Sequence, residues 1–164
     1  LVRSQQLNAE ILTQYKDWFW IFGNFADIPA ASLIYISQNL EYTVLEYDYK
    51  YCKYRSSEKH ENAEGVCDCA LSQQGKSTSI FLVNAQNVWF MSHAQRDFYC
   101  NLYPFLNKEH IKVLSSVFDR KSLEYFSRVD TSTKNDTWLI QRSPSWIKGT
   151  EDAKSLKDYH IIRC

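Results

Sequence analysis

The side chains of this sequence best able to do chemistry are five cysteines, Cys52, Cys67, Cys69, Cys100 and Cys164, and four histidines, His60, His93, His110 and His160. A structural zinc site is usually announced by paired C-x-x-C spacing, which is absent. The C-x-C of Cys67 and Cys69 with His60 nearby is a weak metal signal, so disulfides are the better reading. Five is odd, which leaves at least one thiol free or paired with another chain. Cys100 with His93 or His110 could be drawn as a nucleophile and base, but surface histidines and a structural cysteine account for them better. The chain has no Gly-x-Ser-x-Gly elbow, His-Glu-x-x-His helix or phosphate-cradling glycine loop, so it is not expected to be an enzyme. No metal or cofactor is expected.

Charge and length narrow the partners. Nineteen basic and nineteen acidic residues cancel, without a basic run, so a phosphate-backbone binder is not expected. The longest apolar run, Trp18 to Phe22, is far shorter than the roughly 18 to 20 residues a helix needs to cross a bilayer. Asn135-Asp136-Thr137 is an N-glycosylation sequon. "LVRSQQLNAE" lacks a signal-peptide pattern and so opens either a cytosolic chain or a trimmed secreted form; the sequon with the cysteines favours export to an oxidising compartment. One domain over residues 1–164 is expected.

The elements that must position these residues read as mostly strands. Residues 7–15 have helical spacing, a short lead-in turn or helix. Around Trp18 to Phe22 both faces are apolar, as in a strand covered on both sides. Over residues 41–54, Leu45, Tyr47, Tyr49 and Tyr51 alternate with Glu46, Asp48 and Lys50, which predicts one long half-buried strand. Residues 55–65 are polar and predict a connection. Short strand-like runs follow at 66–72, 77–84, 87–93, 110–118, 122–130 and 136–143, separated by turn residues. A helix is predicted over 149–159, with Thr150 as a possible N-cap, then a last extended piece over 160–164. About eight strands at this spacing predict an all-β protein, and closing the sheet on itself would remove its edges.

The order of these features resembles the lipocalin family. "YKDWFWIFGNF" (15–25) is similar to the family's first-strand Gly-x-Trp motif in Trp18, with Lys16 in the glycine's place; "TWLIQRSPSW" (137–146), followed by the late helix, is similar to its last-strand arginine motif in Arg142 and Pro144. The middle motif would fall on Ser116, Val117 and Phe118, without its acid. The resemblance implies an eight-stranded antiparallel up-and-down barrel, a short N-terminal helical turn and a C-terminal helix packed on the wall. Trp18 would close one end, with Arg142 across its indole. It also implies secretion and transport of a small hydrophobic, lipid-like ligand in the barrel cavity, with Trp20, Phe22, Leu45, Tyr47, Tyr49, Phe81, Val83, Phe90, Val113, Tyr125 and Ile140 as candidate ligand contacts. Cys164 would pair with Cys67 or Cys69, and a Cys52 to Cys67 link would staple one hairpin. Two alternatives stay open: a secreted protein with a packed barrel that meets a receptor or matrix partner through its surface, and a small α+β enzyme with a cone-shaped pocket.

Overall fold

A computed structural model describes residues 2–106, 108–115, 118–130, 132, 137–143, 149–156 and 158–162. The chain divides into two compact units, residues 1–117 and 118–164, each described by itself.

The first unit is an α/β layer. Strands β1 (Trp20–Phe22), β2 (Tyr42–Glu46), β3 (Asn87–Phe90) and β4 (Ile111–Val113) form one sheet in the order β1-β2-β3-β4, every pair parallel. Parallel neighbours need crossovers, and helices supply them. Helix α1 (Ala9–Gln14) precedes the sheet, and α2 (Ala30–Asn39) joins β1 to β2. Helices α3 (Ser57–Glu64) and α4 (Gln73–Val83) lie between β2 and β3, and α5 (His93–Leu102) between β3 and β4. Register places Phe22, Val44, Val88 and Ile111 side by side, and Glu46, Phe90 and Val113 in the next row of that face. Its core is aromatic. Phe81 of α4 packs against Phe22, Phe25 and Tyr42, whose hydroxyl donates to the Phe81 carbonyl at 2.7 Å, and Tyr99 of α5 stacks on Phe90. The opposite face is less covered: Ile21 is 57% exposed.

The second unit holds α6 (Arg120–Arg128), β5 (Trp138–Gln141), α7 (Thr150–Ala153) and β6 (Tyr159–Ile162); β5 and β6 pair in parallel. The Thr150 hydroxyl donates to the Gln141 carbonyl at 2.9 Å and ties α7 to the end of β5.

The all-β antiparallel barrel, and with it the lipocalin architecture, is therefore corrected to an α/β fold with parallel sheets of four and two strands. The strand predicted over 41–54 ends at Glu46, the polar connection over 55–65 is largely helix α3, and the runs at 77–84 and 122–130 lie mostly in α4 and α6. An apolar run of four to eight residues has the same composition in a strand and on one side of a helix, so periodicity alone does not separate them. Trp18 is 67% exposed and closes no barrel, and Arg142 is a strand-end residue of the second unit. Pro144, Ser116 and Val117 lie outside the described residues.

Candidate metal centre

Between the end of β2 and the start of α4, the chain makes a compact knot that sequence spacing did not announce. After Glu46 it turns, and the Cys52 amide donates to the Tyr49 carbonyl at 3.0 Å. Arg55, whose amide donates to the Cys52 carbonyl, takes a left-handed φ of 54°. Ser56 then caps α3, accepting from the Lys59 amide at 3.2 Å. The helix stops at Gly65, which has the left-handed φ of 86° common at helix ends. That reversal returns Cys67 and Cys69 towards Cys52 and His60, and a short 3₁₀ turn (Cys69–Leu71) leads into α4.

Cys52, His60, Cys67 and Cys69 converge, with one ligand atom from each lying within 4.8 Å of every other. The Cys67 and Cys52 sulfurs are 3.8 Å apart, Cys52 Sγ and His60 Nδ1 3.6 Å, and Cys69 Sγ and His60 Nδ1 3.3 Å. Tetrahedral zinc with bonds of about 2.3 Å to sulfur and about 2.0 Å to nitrogen has edges of about 3.8 Å between sulfurs and about 3.5 Å between sulfur and nitrogen. The donor set therefore fits the ion in chemistry, and these three pairs fit it in spacing.

The surroundings are those of a held ligand set. Cys52, Cys69 and His60 are buried and Cys67 is half-buried. His60 turns Nδ1 to the sulfurs and shares Nε2 with Glu64 Oε2 at 3.0 Å. The same carboxylate accepts from Lys53 Nζ and the Tyr54 hydroxyl, both at 2.7 Å. Lys53, with Tyr54 and His60, holds the Glu64 carboxyl down at about 2. A carboxylate on the far ring nitrogen fixes the tautomer that presents the other nitrogen to a metal. Burial pushes the Cys52 thiol up to about 12, and a bound cation would reverse that preference. Helix α4 clamps the knot: Gln74 Nε2 donates to the Lys50 carbonyl at 2.6 Å, and a Cβ on Gly75 would stand 2.1 Å from the Cys69 carbonyl oxygen.

These cysteines were expected in disulfides. In the structure Cys52, Cys67, Cys69 and Cys100 are all free thiols, so the Cys52–Cys67 staple is corrected to a non-bonded pair; Cys164, its proposed links and the Asn135 sequon lie outside the described residues. The same cluster could hold a metal ion, where none was expected. The one sequence signal for it was the C-x-C with His60 nearby; the eight-residue step from Cys52 to His60 became meaningful only once α3 and its glycine stop folded the segment back.

The expected ligand contacts scatter. Trp20, Phe22 and Tyr47 meet along a cavity of about 820 Å³, with Trp18 and residues 2–7 on its other walls. Phe81 and Phe90 are core, Tyr49 packs against Phe98 and Tyr99, and Leu45 and Val113 are half-buried strand residues. Val83 is 46% exposed, Tyr125 is exposed on α6, and Ile140 is buried in the second unit.

A second feature was not foreseen. Glu46 and Lys50, both fully buried, pair at 3.1 Å through Oε1, which also accepts from the Asp48 amide, while Oε2 has no partner among the described residues. The Lys50 ammonium lies 4.0 Å from the centre of the Tyr47 ring. Burial outweighs the nearby lysine and pushes the Glu46 carboxyl up to about 7.

No family model, no curated protein and no solved structure matches this chain. No helix among the described residues is long and apolar enough to cross a membrane.

Proposed function

We propose that the first unit is a zinc-binding module in which Cys52, His60, Cys67 and Cys69 hold one ion in a closed, structural site. The observation that carries this reading is the convergence of three sulfurs and one imidazole nitrogen within 4.8 Å of one another. Four protein ligands leave no open position for water or substrate, which is the pattern of structural rather than catalytic zinc. The ion's role is to fix residues 47–72, a stretch with a mostly polar helix and few buried apolar groups. The case for an oxidising compartment rested on disulfides and on the Asn135 sequon, and the free thiols among the described residues weaken the first of these.

Metal analysis of the purified chain should find one zinc per molecule. Cobalt(II) in its place should give the strong visible bands of a tetrahedral thiolate site. A chain that takes up no metal after reduction and refolding with zinc, or a pale octahedral cobalt spectrum, overturns the reading. The aromatic cavity beside β1 supports a second role, binding of a small apolar molecule against Trp18, Trp20 and Phe22. Saturable quenching of tryptophan fluorescence by an apolar probe, lost in Trp20→Ala, would support it.

A further inference from the structure

We infer that the metal centre is a target for hydroperoxides, with Cys67 as the entry point and Cys52 as the resolving thiol, so that oxidation closes a Cys52–Cys67 disulfide and releases the ion. The inference rests on the zinc reading above. Among the four ligands only Cys67 is partly exposed; Cys52 is fully buried, and Cys69 and His60 nearly so. Of the four ligand residues, Cys67 is therefore the one that a peroxide arriving from solvent meets first.

The Cys52 sulfur waits 3.8 Å from it, already on the same side of the knot. A disulfide needs about 2.05 Å, an approach of under about 2 Å that side-chain rotation can supply. Cys69 is less free to compete. Its carbonyl is wedged against Gly75, so its backbone cannot follow a sulfur drawn towards Cys67.

The chemistry balances with the peroxide as the only co-reactant. The Cys67 thiolate attacks one peroxide oxygen, the O–O bond breaks and hydroxide leaves, giving a sulfenic acid. The Cys52 thiolate attacks that sulfur, the S–O bond breaks, the S–S bond forms and a second hydroxide leaves. Two cysteines are oxidised by two electrons in all, the peroxide is reduced, and two protons from solvent complete two waters. The ion loses two of its four ligands, and Cys69 with His60 alone makes a weak site.

The test uses the full zinc-loaded chain in a Cys100→Ser/Cys164→Ser background, its zinc content measured first. Hydrogen peroxide should release one zinc per disulfide formed, read by a chromophoric chelator alongside intact mass. Peptide mapping should place the bond between residues 52 and 67, and dithiothreitol with added zinc should restore the loaded form. Cys52→Ser, which leaves three ligands, should instead accumulate sulfenic acid at Cys67, trapped by dimedone. Zinc retained after thiol oxidation, oxidation to sulfinic acid without a disulfide, or a bond mapped to Cys67–Cys69 overturns the switch and leaves the zinc site standing. A chain that binds no zinc at the outset overturns both.

Discussion

Glu64 never touches the sulfurs, yet it decides which nitrogen of His60 faces them. Removing such a partner commonly costs about 10- to 100-fold in metal affinity. Glu64→Ala should weaken zinc binding by that order in a chelator competition, and Glu64→Gln should recover part of it by keeping an acceptor for the ring N–H. The Glu46–Lys50 pair obeys a different arithmetic. Breaking a buried pair leaves one uncompensated charge and costs about 3 to 5 kcal/mol, whereas replacing both partners with apolar groups of similar volume is often neutral. Above pH 7, where the Glu46 carboxyl is ionised, Lys50→Met alone should therefore destabilise the chain by that amount in urea titration, and Glu46→Leu/Lys50→Met should come close to the parent. Glu46 also carries a pH signature. Its carboxyl sits at about 7 in the folded chain against 4.5 ordinarily, so the folded state keeps a proton that the unfolded state has already given up. Stability from this group is complete below 4.5 and is lost as pH rises through about 7. Comparing zinc-loaded parent and double variant across that window should show the parent losing ground; parallel curves would contradict the buried carboxylate.

The loop that carries the ligands is shaped by its neighbours, and Gly75 is the sharpest case. Inside an exposed helix, Gly→Ala gains about 1 kcal/mol of helix propensity. Here the added Cβ would meet the Cys69 carbonyl oxygen at 2.1 Å, backbone that cannot swing away, and forcing extra volume into a packed site costs about 1 to 3 kcal/mol. The clash should win. Gly75→Ala should lower the melting temperature and weaken zinc binding together, because the displaced carbonyl belongs to a ligand residue. Legibility in the sequence divides at this same scale. Residues 87–90 declare a strand because Val88 and Phe90 are buried on one face between clear turns, and β3 begins at Asn87 as its turn predicts. "STSIFLV" declares nothing so clear: its Ile80, Phe81, Leu82 and Val83 suit a buried strand as well as a helix, and only packing of Phe81 against Phe22 and Tyr42 fixes it as α4. Alternation over 45–51 is similarly ambiguous, since a turn that buries Lys50 and Tyr51 while exposing Tyr47 produces the same letters. The metal ligands were half-visible, with C-x-C and His60 in plain sight, but Cys52 joins them only through α3 and the left-handed turn at Gly65.

Across the first unit, the ion's contribution should be local in structure and global in stability. Anything that binds only the folded state stabilises it by mass action, about 2.7 kcal/mol at a concentration 100 times its dissociation constant. A chelator should lower the melting temperature, and hydrogen exchange on removal should rise over residues 47–72 well before it rises in β2 and β3; uniform acceleration would mean the ion organises the whole sheet. The strand order sets a further constraint. In open parallel sheets, ligands settle at the carboxyl edge where successive connections depart to opposite faces and leave a crevice. A sheet running β1-β2-β3-β4 never reverses direction, so it contains no such parting. Without a switch-point crevice to furnish, evolution can vary this fold's chemistry chiefly by lengthening one connection until it encloses a small volume of its own. The stretch after β2 is such an appendix, which means a related chain could lose its thiols there and still keep the four strands beneath.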